Sequence, residues 1–311
     1  MIDRSDVEAA RERIRDRVRT TPVLEIDADV PGGGGFFKLE LLQHTGTFKA
    51  RGAFNRILRA QADGDLDPEV GIVVASGGNA GVANAFAASA LGVPATVFVP
   101  ETAPAVKVAR LRELGAEVVL EGSEYAAAYE AALRSAAVTG ALHCHAYDQP
   151  DIAAGAGTLA LELLEQAPDL DTVVVAVGGG GLMAGVAAAL EGRVQVIGVE
   201  PTGAPTLSRA LEQGRPVDVP VSGVAADSLG ARRLGEIAFD VATRTGVRGV
   251  LVSDDDLRAA RAMLWSRWRI PVEHGAAAAW AALTSGGYRP AAGERVGVVL
   301  CGANTDPSDL A

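Results

Sequence analysis

The chain has 311 residues, 49% of them hydrophobic and only 5% aromatic, a length that suits one large or two ordinary domains with a buried core. Its net charge of −11 argues against a nucleic-acid surface, because phosphate binding needs clustered cations. The opening residues, Met1-Ile2-Asp3-Arg4-Ser5-Asp6, hold no apolar secretory segment, and two widely separated cysteines, Cys144 and Cys301, fit a reduced, cytoplasmic protein.

In chain order, Ser5 with Glu8 predicts a capping box ahead of Val7, Ala10, Ile14 and Val18, hence a helix to about Val18. Phe36 to Leu39 reads as a strand and Thr47 onward as a helix. At that helix mouth stands Lys49, one of only three lysines (Lys38, Lys49, Lys107) among 28 basic residues. An amine beside small and hydroxyl residues suits covalent chemistry with a carbonyl group; a surface lysine is the bland alternative. A compact strand–helix repeat follows. Ile72–Val74 leads to a helix from Asn79, Ala95–Val99 to one from Pro104, and Glu117–Leu120 to one from Ser123, with Leu142–Cys144 closing the set. Residues 69–147 are therefore expected to form a small mobile domain, and residues 1–68 plus 148–311 a large one. The large part adds strands at Thr172–Val177, Val194–Val199, Val250–Ser253 and Val296–Cys301, with helices near Asp254 and Gly275. Such alternation predicts the α/β class, with mostly parallel sheets flanked by helices.

Three loops follow strands. Ser76-Gly77-Gly78-Asn79-Ala80-Gly81 opens a helix, where free N–H groups attract a carboxylate; a tight turn explains it equally well. Thr172 to Leu190 carries no charge, but Gly178-Gly179-Gly180-Gly181 interrupts it, so it reads as strand, glycine loop and helix rather than a membrane span. Successive backbone amides in such a loop form a phosphate nest. Leu300-Cys301-Gly302-Ala303-Asn304 ends the last strand. In His143-Cys144-His145 the histidines share one strand face, and no further ligand cluster accompanies them.

From Lys38 to Ala53 the chain resembles the Schiff-base lysine segment of the fold-type II pyridoxal phosphate enzymes, the tryptophan synthase β family, and the other loops occur in that family's order. The resemblance implies that Lys49 is the catalytic, cofactor-bearing lysine, with Phe48 packed nearby. It places Asn79 on the cofactor's 3′-oxygen, Gly178, Gly179, Gly180, Gly181 and Leu182 around the phosphate, and Cys301 at the pyridine nitrogen. Ser76, Gly77, Asn79 and Ala80 hold the substrate carboxylate. A cation loop falls on Glu200 and Ala204, but Thr206 stands where the divalent form has an acid, which leaves a monovalent ion. Val221 to Gly230 fits a loop under the cofactor ring. Val272-Glu273-His274-Gly275-Ala276 is a shortened form of a family segment. Racemases of this fold carry serine at Gly77; glycine has no proton to give, so elimination is expected. Cysteine at position 301 and Ala80 point to the serine/threonine dehydratase branch. A serine racemase, a 3-hydroxyaspartate ammonia-lyase and a β-replacing synthase are the alternatives. The resemblance further implies a homodimer acting on a small amino acid, away from membranes. The chain stops ten residues after the last expected strand, so no C-terminal regulatory domain is expected.

Overall fold

Asp3, not Ser5, opens the first helix. Its carboxylate accepts from the Asp6 backbone N–H, and the Asp6 side chain accepts from that of Asp3, a reciprocal cap. Ser5 instead donates its hydroxyl to Asp3, and Glu8 pairs with Arg4. This helix, α1 (Arg4–Ile14), stops short of Val18. The structure, a computed structural model, describes every residue except Gly32 and Ala311.

The chain continues through β1 (Val23–Glu25), β2 (Phe36–Lys38), two short 3₁₀ turns and α2 (Lys49–Asp63). Then come β3 (Ile72–Ala75), α3 (Asn79–Ala90), β4 (Ala95–Val99), α4 (Ala105–Glu113), β5 (Glu117–Leu120), α5 (Tyr125–Thr139), β6 (Leu142–Cys144) and α6 (Pro150–Gln166). The last part holds β7 (Thr172–Ala176), α7 (Gly181–Leu190), β8 (Gln195–Pro201), α8 (Thr206–Gln213), α9 (Ala226–Leu229), α10 (Glu236–Thr245), β9 (Arg248–Val252), α11 (Asp254–Trp268), α12 (His274–Thr284) and β10 (Val296–Val299).

Two sheets result. A four-stranded parallel sheet runs β5-β4-β3-β6, and a six-stranded one runs β1-β2-β10-β7-β8-β9. In the larger sheet only the β1–β2 pair is antiparallel. The α/β class with mostly parallel sheets is thus as the sequence predicts; the short edge strand β1 was not anticipated. The uncharged run from Thr172 resolves into a fully buried strand, the glycines and a fully buried helix. Its lack of charge reflects central burial in the larger core, and among the described residues no helix is long and apolar enough to cross a membrane.

The helix expected from Thr47 begins two residues later. Thr47 is extended and bridges to Gly302, and the Phe48 N–H donates to the Cys301 carbonyl at 3.1 Å. These contacts fasten the start of α2 to the end of β10. Behind it, Arg51 donates to Glu40 at 2.8 Å and Glu162 at 2.7 Å, while Lys38 donates to Glu162 at 2.8 Å. Two cations and two carboxylates thereby neutralise one another in the interior.

Candidate active site

Lys49 stands at the first turn of α2. Its Nζ donates to the Ala146 carbonyl at 2.9 Å and lies 5.1 Å from the centre of the Phe48 ring. Burial draws its pKa down to about 8, with the Cys301 and Glu273 side chains pulling the other way. A substantial fraction of neutral amine is therefore present near pH 8.

The Ser76–Gly81 loop carries β3 into α3. Ser76 Oγ accepts from the Gly78 N–H at 3.2 Å. A Cβ at Gly81 would lie 1.8 Å from the Ser76 carbonyl oxygen, so the close turn requires glycine there. Gly77 is different: a Cβ would meet only Val99, at 3.4 Å. A Cβ therefore fits at Gly77 in ordinary van der Waals contact, so glycine there is not a steric necessity.

Asn79, the first residue of α3, is gripped at both ends of its amide. Nδ2 donates to both Glu273 carboxylate oxygens at 3.0 Å, and Oδ1 accepts from Asn304 Nδ2 at 2.8 Å. Asn304 also donates to the Thr45 carbonyl at 2.9 Å. Sequence reasoning assigned Glu273 and Asn304 no role, although both lie in segments it had singled out. Burial raises the Glu273 carboxyl pKa to about 7, while the Asn79 hydrogen bond opposes the rise.

The tetraglycine is a cradle that side chains would fill. A Cβ at Gly179 would come within 2.5 Å of the Tyr147 ring, and one at Gly181 within 2.6 Å of the Tyr147 carbonyl oxygen. Gly180 has φ +88, a left-handed conformation that favours glycine. No side chain caps α7, so its first N–H groups remain for an anion, and the cradle fits a phosphate.

A single cavity of about 720 Å³ gathers Phe48, Lys49, Ser76, Gly77, Asn79, Ala80, Gly178, Gly179, Gly180, Gly181, Leu182 and Cys301. Every residue expected to touch cofactor or substrate thus lines it. So do Glu273, Tyr125, Tyr129 and Tyr147, which sequence reasoning did not assign to the site. Cys301 is a buried free thiol whose pKa burial pushes up, so it is uncharged at neutral pH. Part of the Val221–Gly230 loop, from Ala226, also lines the cavity. Glu200 and Ala204 do not. The Glu200 carboxylate accepts from the Leu207 and Ser208 N–H groups and from the Thr206 and Ser208 hydroxyls. It thereby caps α8, and a cation would have to displace those donors. The His143 and His145 rings pack edge to face among Tyr129 and Tyr147.

The family model described as "Pyridoxal-phosphate dependent enzyme" matches residues 14–302. The chain is 43% identical over 314 residues to a phenylserine dehydratase of Ralstonia pickettii, covering 99% of this chain and 95% of that one. It is 35% identical to an L-threonine ammonia-lyase of Thermotoga maritima, covering 98% of this chain and 76% of that one. The structure of maize serine racemase is similar with a TM-score of 0.92 at 31% identity, over 99% of this chain and 95% of that one. The chain belongs to the pyridoxal-phosphate dependent enzymes, and within them to the lyases. Its cofactor is pyridoxal 5′-phosphate.

Proposed function

We propose that the chain is an ammonia-lyase that removes water from a β-hydroxy-α-amino acid, yielding a 2-oxo acid and ammonia. One observation carries the reading: a part-buried amine of lowered pKa shares a cavity with a glycine phosphate cradle and a second anion-binding helix start. Bound pyridoxal phosphate supplies the electron withdrawal that makes a Cα proton removable. Gly178 to Gly181 hold its phosphate through backbone N–H groups, next to Leu182, and Phe48 packs beside Lys49. Cys301, an uncharged thiol lining the same cavity, would offer the cofactor ring a neutral partner. Ser76, Gly77, Asn79 and Ala80 bind the substrate carboxylate. Lys49, as free amine, takes the Cα proton. Gly77 offers no donor to the opposite face, so elimination is favoured over the racemisation for which some relatives are named.

L-Serine and L-threonine are the substrates expected from the sequence. One relative is named for phenylserine and another for threonine, which leaves aryl and methyl β-substituents both in play. Residues 69–147 act in this proposal as a mobile unit that closes on the substrate and excludes water. A cytoplasmic homodimer belongs to the same reading. The test is 2-oxo acid formation from L-threonine and L-serine, separately, with added pyridoxal phosphate. Turnover that disappears in Lys49→Ala is expected; a Lys49→Ala protein with the wild-type rate would overturn the proposal.

A further inference from the structure

The chain has four tyrosines, and three of them, Tyr125, Tyr129 and Tyr147, line the one cavity that holds Lys49. Tyr147 has structural work: its ring lies against Gly179, and its hydroxyl donates to the Arg233 carbonyl at 3.3 Å. Of the other two, Tyr129 packs edge to face on the His143 and His145 rings, and Tyr125 has no such employment. They sit one turn apart on the first turns of α5, so they share a helix face. Their rings stack at 6.0 Å, and Tyr129 meets His145 edge to face at 5.7 Å. Among the described residues neither hydroxyl has a hydrogen-bond partner within the chain. Tyr125 is 49% exposed, and the residues of α5 that fill the core behind it are alanines. Packing of the small sheet therefore accounts for part of the Tyr129 ring, which lies against that core, but not for the half-exposed Tyr125 ring. What remains is an aromatic wall facing the reaction cavity.

A hydroxymethyl or hydroxyethyl side chain has almost no surface to set against such a wall. An aryl ring has, and aromatic pairs gain from edge or offset contact at these spacings. We propose that Tyr125 and Tyr129 form a subsite for an aromatic β-substituent and make a β-aryl-β-hydroxy-α-amino acid the preferred substrate. The proposal rests on the water-eliminating reading above and specifies its substrate class. The atoms balance without a further reactant: the β-hydroxyl leaves as water, one water is taken up as ammonia is released, and the product is a 3-aryl-2-oxo acid.

The experiment compares kcat/KM for L-threo-3-phenylserine and L-threonine in the cofactor-loaded enzyme, using wild type, Tyr125→Ala, Tyr129→Leu and Tyr125→Phe. Wild type is expected to favour phenylserine. The phenylserine-to-threonine ratio is expected to fall about tenfold in Tyr125→Ala and Tyr129→Leu, chiefly through KM, and to persist in Tyr125→Phe. A wild-type preference for threonine, or a ratio that the variants leave unchanged, overturns the subsite and leaves the lyase reading standing. Should neither compound give a 2-oxo acid, the lyase reading itself fails. Calorimetric binding of L-phenylalanine, which has no β-leaving group, then decides the subsite. Tighter binding than L-alanine that is lost in Tyr125→Ala supports it, and equal binding of the two overturns it.

Discussion

In the proposed reaction Lys49 must shed a proton before it can act, and burial makes that easier. Uptake of pyridoxal phosphate by the cofactor-free protein, followed by visible absorbance, should quicken as pH rises through about 8 and level off above it. Glu273 has the opposite linkage to stability. Its folded pKa of about 7 exceeds the ordinary carboxyl value of 4.5. The stability it contributes is therefore fully present below pH 4.5 and is lost as pH rises through 7. Glu273→Gln keeps an acceptor for Asn79 and removes that dependence. Melting the cofactor-free proteins at pH 5 and pH 8 should show the variant gaining on wild type at the higher pH, by at most about 3 kcal/mol. Gly77 has room for a Cβ, so Gly77→Ser should fold normally and add exchange or inversion at Cα, read by chiral analysis of recovered substrate. Unaltered stereochemistry in a folded Gly77→Ser protein would show that a hydroxyl there is not enough.

Helix α2 presents Lys49 because its start and its inner face are tied down. Arg51, two residues on, is completely buried against Glu40 and Glu162. Arg51→Met leaves two interior carboxylates with Lys38 as their only cation. It should cost about 3–5 kcal/mol in denaturant unfolding and loosen cofactor retention by freeing the start of α2. The glycine loop was legible because backbone constraints are local: four glycines between a valine-rich and an alanine-rich run can only mark a turn. The tertiary reason for each glycine was not legible, since Tyr147, which fills the space beside Gly179 and Gly181, comes from the other sheet's last connection. Gly181→Ala would drive a Cβ against the Tyr147 carbonyl and should weaken cofactor retention on dialysis. The first helix shows the limit of capping patterns. Asp3 and Ser5 each had a partner three residues ahead, and hydrogen-bond competition between them chose Asp3.

For the molecule as a whole, Asn79 is a hydrogen-bonded link between the small sheet's leading helix and the segments around the larger sheet. It reaches Glu273 across 194 residues of sequence and Asn304 across 225. If residues 69–147 move as a unit, this latch should govern the motion. Asn304→Ala should speed amide hydrogen exchange around Ser76 to Val82, and a bound unreactive amino acid should slow it again; unchanged exchange would detach the latch from the motion. By itself the sequence determined the α/β class, the strand–loop–helix units, the place of Lys49 at a helix mouth and the two glycine loops, because each is written in a few neighbouring residues whose periodicity and backbone freedom act locally. Only the tertiary structure decided that Glu273 and Asn304 hold Asn79, that Glu200 caps a helix away from the cavity, and that three tyrosines line the cavity with Lys49. Those are meetings of side chains remote in sequence, brought together by sheet order and buried by packing, and no local pattern encodes them.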